Sequence, residues 1–228
     1  MTVNPDGPTP ISLAHEGDGE DPRLGQRVGR YLLRRLLGRG GTGMVYEATH
    51  SDWGQRVAIK ILPALGRGDA LAQALHEARA VNRVPHPGLA RVNDSGLLPD
   101  GAAYLVMDLL EGESLFEHLR ARGGVLPVQT GLVLLRQAAS ILAAAHACQV
   151  LHLDLKPENL FVCYDPEVPG GLRTKLLDFG LAQVHSVRAA WLRYRRAGTP
   201  LYMAPEQWQG QALSAQKSLQ FRRLPAAA

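Results

Sequence analysis

His152-Leu153-Asp154-Leu155-Lys156-Pro157-Glu158-Asn159 forms a dense polar loop, and Asp178-Phe179-Gly180 follows it after two short strand-like runs. Taken singly, each piece is ordinary: Asp and Asn favour turns, and Pro-Glu-Asn reads as a loop. Taken together, they hold the parts that phosphoryl transfer requires. One carboxylate must accept or orient a hydroxyl proton, oxygen ligands must hold magnesium, and a cation must balance charge on the moving group. Asp154, the Asn159 and Asp178 pair, and Lys156 fit these roles in that order.

Upstream, Leu37-Gly38-Arg39-Gly40-Gly41-Thr42-Gly43-Met44-Val45 contains G-x-G-x-x-G-x-V. A plain hairpin turn accounts for such a run on its own. A dinucleotide fold needs a helix directly after the glycines, whereas Val45-Tyr46-Glu47-Ala48 is strand-like. A Walker loop needs Gly-Lys-Ser or Gly-Lys-Thr, which is absent. What remains is a β-hairpin whose backbone can press close to phosphates. Next comes the strand Val57-Ala58-Ile59-Lys60-Ile61-Leu62. Alternation puts Ala58 and Lys60 on one face and Val57 and Ile59 on the other. With the latter pair in a core, Lys60 lies beneath the glycine loop. A buried lysine needs a negative partner, and the helical run over 69–84 offers Glu77. Read alone, this segment favours the plainer alternative: Lys60 at a solvated edge and Glu77 on the surface.

The 228 residues carry 25 basic and 21 acidic side chains, a net charge of +4, and 46% hydrophobic residues. That suffices for one large domain or two small ones and excludes a wholly disordered chain. The mild basicity argues weakly for nucleic acid or an anionic membrane. Cys148 and Cys163 lie in no metal-ligand spacing and read as reduced thiols. Residues 1–29 read as a flexible acidic leader without signal-peptide character. The first half reads as a sheet with one helix, whose apolar face is Leu71, Leu75, Ala78 and Val81. Strands are expected at 90–92 and 103–108. In the second half, Ser114 to Glu117 fits a capping box. A helix over 128–147 then places Leu132, Leu135, Ala138, Ile141, Leu142 and Ala145 on its buried side. Its apolar run is too short and too interrupted for a membrane span.

The glycine loop, Val57 to Lys60, Glu77, His152 to Asn159, Asp178-Phe179-Gly180 and Ala204-Pro205-Glu206 stand in an order and spacing that resemble one family. The chain resembles the catalytic domain of a bacterial, eukaryotic-like serine/threonine protein kinase over about 31–209. That resemblance implies an α+β, two-lobed fold: a small antiparallel β-sheet lobe with one helix over 30–110, then an incomplete, mainly helical lobe over 111–210. It implies that Gly38, Gly40 and Gly43 cover ATP phosphates, and that Lys60 binds them and pairs with Glu77. Val45, Ala58 and Phe161 would flank adenine. Met107 would form the back wall, and the backbone of Asp108 and Leu110 would bond the base. Asp154 would be the catalytic base, and Asn159 and Asp178 would hold Mg2+, with Mn2+ as an alternative. Lys156 and Thr199 favour protein substrates bearing serine or threonine, with Thr199 bridging Asp154 and Lys156.

The sequence departs from the family twice. Leu153 stands where most members have the arginine that pairs with a loop phosphate, so catalysis is expected not to depend on phosphorylation through that position. Ser186, Tyr194 and Thr199 remain candidate phosphosites, and the basic run Arg188 to Arg196 reads as a solvated loop face, with a dock for acidic substrates as the alternative. After Ala204-Pro205-Glu206 the resemblance stops, and 211–228 is expected to be a non-matching tail following a frameshift or truncation. A catalytically inactive remnant that binds nucleotide or a partner is therefore the alternative to an active kinase. A nucleic-acid binder, resting on basicity alone, is disfavoured. No membrane span is expected and the expected location is cytoplasmic.

Overall fold

Strand-forming residues and glycine turns build the first half in a computed structural model, which describes residues 21–40, 43–63, 69–168, 170–179, 183–184 and 199–208. In chain order come β1 (Arg27–Val28), β2 (Tyr31–Gly40), β3 (Gly43–His50), β4 (Arg56–Leu62), α1 (Asp69–Asn82), β5 (Val92–Leu97) and β6 (Ala103–Asp108). The strands form one antiparallel sheet in the order β1-β2-β3-β4-β6-β5. The β2–β3 hairpin closes at Gly40 and Gly43. Gly43 is required there: its φ is 137°, and a Cβ would lie 2.2 Å from the Ile61 carbonyl oxygen.

The second half contains β7 (Gly112–Ser114), α2 (Leu115–Arg120), α3 (Val128–Ala147), β8 (Val150–Leu151), a 3-10 turn at Pro157–Asn159, β9 (Leu160–Tyr164), β10 (Leu172–Leu176), β11 (Gln183–Val184), a second 3-10 turn at Pro200–Tyr202, and α4 (Pro205–Trp208). The order β10-β9-β7 forms a small sheet, and β11 pairs with β8. The expected capping box closes on both sides: Ser114 Oγ accepts from the Glu117 amide, and Glu117 accepts from the Ser114 amide.

Val28, Leu33, Tyr46, Val57, Ile59 and Ile61 form the core on one face of the large sheet. Leu62, Ala74, Ala103 and Leu105 fill the opposite face, against α1. A third cluster joins the halves: Ala80 and Val81 of α1 pack with Ala138, Ile141 and Leu142 of α3, and with Leu160, Leu176 and Phe179. The sheet-plus-helix half and the α3 bounds follow the sequence pattern, but several details do not. Residues 21–29 are folded rather than flexible, with Asp21 and Val28 buried. The buried face of α1 runs through Ala74, Glu77, Ala80 and Val81, while Leu75 and Ala78 are only half-buried; the Leu71 side chain lies outside the description. The strand expected at 90–92 begins at Val92 and continues to Leu97. On α3, Leu134 is buried, whereas Leu132 and Leu135 are 57% and 50% exposed. By length and composition α3 is the one described helix able to cross a membrane; its buried side is committed to the shared core. The residues 1–20, Gly180, Ser186, Arg188 to Arg196 and the segment 211–228 lie outside the described residues, as does the Glu206 side chain.

Candidate active site

Lys60 sits mid-strand in β4, paired on either side with Val45 of β3 and Leu105 of β6. The residue is 4% exposed. Nζ lies 2.9 Å from Glu77 Oε1 and 2.6 Å from Asp178 Oδ1. Burial works against the lysine charge, but the two carboxylates more than offset it and raise the pKa above its ordinary value. α1 turns Glu77 inward to meet it, which explains why a charged residue lies on the buried face of that helix. The second carboxylate oxygen of Glu77 is buried and has no hydrogen-bond partner among the described residues.

A second cluster forms on the polar loop. Asp154 Oδ2 is 2.9 Å from Lys156 Nζ. Oδ1 accepts from both the amide and the hydroxyl of Thr199, each at 2.7 Å. Lys156 Nζ also donates to Thr199 Oγ1 at 2.7 Å, closing a triangle. Burial pushes the Asp154 carboxyl up, but Lys156 and Thr199 outweigh it and hold the group below its ordinary range. Beneath the loop, His152 is buried. Its Nε2 lies 2.7 Å from the Leu177 carbonyl oxygen, and its Nδ1 accepts from the Asp154 amide. These partners assign the proton to Nε2. Burial keeps the ring pKa low, and the ring meets Phe179 edge to face at 4.7 Å.

The β9–β10 hairpin brings the remaining oxygen donors together. Leu160 pairs with Leu176, and the Leu177 amide donates to the Asn159 carbonyl. Asn159 and Asp178 therefore leave the same end of one hairpin. Asp178 has φ 59° and Leu153 φ 66°, left-handed values that side chains rarely adopt and that the surrounding contacts must hold.

On the sheet above, strand pairing puts Val45 and Lys60 on one face with Ala58. Ala58 is buried and faces Met107 across the ladder. Asp108 accepts from the Arg91 amide and Asn93 Nδ2 through its carboxylate, so a ligand here would meet its backbone. Leu110 is half-buried in the connection to β7, and Phe161 is half-buried on β9. A Cβ built at Gly38 or Gly40 meets no atom of the described residues within 4 Å. The hairpin thus leaves open space that suits a phosphate chain.

A family model described as protein kinase domain matches residues 31–218. The chain belongs to the protein kinase family. Serine/threonine-protein kinase Pkn1 of Myxococcus xanthus is 38% identical over 208 residues, covering 89% of this chain and 29% of the relative. PknA of Mycobacterium tuberculosis is 37% identical over 193 residues, covering 82% of this chain and 43% of the relative. The chain spans less than half the length of these relatives. The crystal structure of a double mutant of the Mycobacterium tuberculosis PknI kinase domain aligns with a TM-score of 0.66 and 26% identity, covering 85% of this chain and 72% of that one. The fold is the two-lobed kinase fold, and the family match runs past the expected end at 210.

In this kinase domain the donor set suits a hard divalent cation. Asn159 Nδ2 is committed to Asp154, donating to its carbonyl at 2.7 Å. Its amide oxygen is therefore the atom left to coordinate, alongside the Asp178 carboxylate. Two protein oxygens, with phosphate and water completing the shell, is the usual arrangement for magnesium. Sequence reasoning missed one polar tie. The buried Gln207 accepts from the Ala204 amide and donates to the Leu153 carbonyl, each at 2.9 Å. A glutamine after Ala-Pro-Glu carries no local signal of this role.

Proposed function

We propose that this chain transfers the γ-phosphoryl group of ATP to serine or threonine hydroxyls of proteins. The observation that carries this reading is the double ion pair at Lys60. It ties Glu77 of the sheet half to Asp178 of the other half, so the phosphate-facing and metal-facing groups belong to one site. Gly38, Gly40 and Gly43 would cover the phosphates, and Lys60 would hold their oxygens. Val45, Ala58 and Phe161 would flank adenine, Met107 would close the back, and Asp108 and Leu110 would offer backbone groups. Asn159 and Asp178 would hold magnesium or manganese, which supplies charge neutralisation on the phosphates when bound.

Asp154 then orients the acceptor hydroxyl. The new bond joins that oxygen to the γ-phosphorus, the bridging P–O bond breaks, ADP leaves, and the proton passes to Asp154. Its low pKa keeps it an ionised acceptor at neutral pH, which suits a reaction in which positioning outweighs early proton removal. Lys156 balances charge on the moving group, and Thr199 fixes both side chains. A cytoplasmic location accords with the need for ATP and with the two free cysteines. Leu153 is buried with its carbonyl bound by Gln207, which supports activity independent of a phosphate pairing at that position.

Calorimetric titration with ATP and magnesium tests the site. The parent should bind, Lys60→Met should weaken binding, and Asp178→Asn should remove its magnesium dependence. Equal binding by the parent and Lys60→Met would contradict the proposal.

A further inference from the structure

The segment before β1 reaches the glycine hairpin from outside the cleft. Asp21 is 8% exposed, and its carboxylate gathers three donors. Arg39 Nη2 lies 2.7 Å from Oδ2, the Tyr46 hydroxyl lies 3.1 and 3.2 Å from the two oxygens, and the Arg23 amide donates to Oδ1 at 2.9 Å. Burial, aided by Asp21, pushes the Tyr46 hydroxyl up to about 12, so it remains a donor. Arg39 stands between Gly38 and Gly40, in the hairpin itself.

Strand pairing fixes which face is held. Arg39 pairs with Met44, and Tyr46 lies two residues on, so the three share one face. Val45 pairs with Lys60 and shares the other. Asp21 therefore grips the hairpin from the side opposite the phosphate space. The grip is itself anchored: Arg23 Nη2 is 2.8 Å from Asp100 Oδ2, the Gly25 amide donates to the Leu33 carbonyl, and the Leu33 amide donates to the Gln26 carbonyl. Gly38 and Gly40 bring no side chains to fix this part of the hairpin, so an outside tie reduces the entropy lost when a ligand orders it.

We propose that Asp21 is a positioning residue for nucleotide binding, holding the glycine hairpin over the phosphate site through Arg39 and Tyr46. This rests on the nucleotide reading above. The test is ATP and magnesium binding by the full chain, with amide exchange at Val45 and Tyr46. Asp21→Asn and Arg39→Met should each weaken binding about fivefold, and the double variant should be no weaker than either single, because both break one charge-assisted contact. Arg39→Lys should bind within about twofold of the parent because it keeps the cation. Exchange at Val45 and Tyr46 should quicken in Asp21→Asn. A parent that binds ATP while Asp21→Asn and Arg39→Met bind equally well overturns the latch alone, as do single losses that multiply in the double variant. A parent that binds no better than Lys60→Met overturns the nucleotide reading on which the latch rests.

Discussion

Lys60 is set in a ladder bonded to β3 on one side and β6 on the other, with core on both faces of its strand. Asp154 has no such frame. It follows Leu153, whose φ is 66°, in a loop held by the side chains of Lys156, Asn159 and Thr199 and by Gln207 at the Leu153 carbonyl. The first half positions by repeating backbone bonds, which any strand-forming sequence can make. The second positions by individual polar contacts, each needing a particular side chain. Substitutions that keep shape should therefore be tolerated in the sheet and felt in the loop, except where the sheet carries charge.

Lys60→Met tests that exception and should have the largest effect. It leaves Glu77 buried without its cation, costing ~3 to 5 kcal/mol of stability, and it should lower phosphoryl transfer by about a thousandfold or more. Thermal unfolding and transfer assays check the two parts. Adding Glu77→Gln should recover part of the stability and none of the transfer.

In the loop, Thr199→Val should lower kcat about tenfold with little change in KM for ATP, consistent with loss of one hydrogen bond to a charged group. Thr199→Ser should restore it. The sign of the pH effect follows from the low Asp154 pKa. Held below the ordinary 3.8, Asp154 stays ionised at neutral pH and loses charge only as pH falls through its lowered folded pKa. Lys156→Met removes the leading offset to burial. The acid limb of the rate profile should then move to higher pH.

On α3 the two faces should separate. Leu134→Ala should cost ~2 to 5 kcal/mol, as buried leucines do, whereas Leu132→Gln should change stability by about 0.5 kcal/mol or less. The smallest effect concerns Leu153. Phosphatase treatment should leave transfer by the native chain within about twofold, because no arginine waits there for a phosphate; a strict dependence would contradict this.

How far the sequence carried these features depended on whether chemistry or packing chose the residue. The structure brings Lys60 to Asp178, and Asp154 to Lys156 and Asn159, contacts between residues that the phosphoryl-transfer reading had singled out. Strands β3 and β4 and the bounds of α3 were legible from periodicity. The buried face of α3 was less so, since Leu132-Val133-Leu134-Leu135 offers no phase of its own. The face of α1 was misplaced because Glu77, buried by Lys60, interrupts the apolar stripe. β5 reads Val-Asn-Asp-Ser-Gly-Leu and is a strand only because β6 pairs with it. Asp21 was hidden in an acidic, proline-rich stretch whose composition suggested no contact at all.

The most direct measurement of the central claim is transfer of labelled phosphate from ATP and magnesium to a generic serine- and threonine-containing substrate by the full chain. Label should appear on serine or threonine with the parent and fall to background with Asp154→Asn, while that variant still binds ATP. Transfer by the parent no greater than by Asp154→Asn would contradict the account.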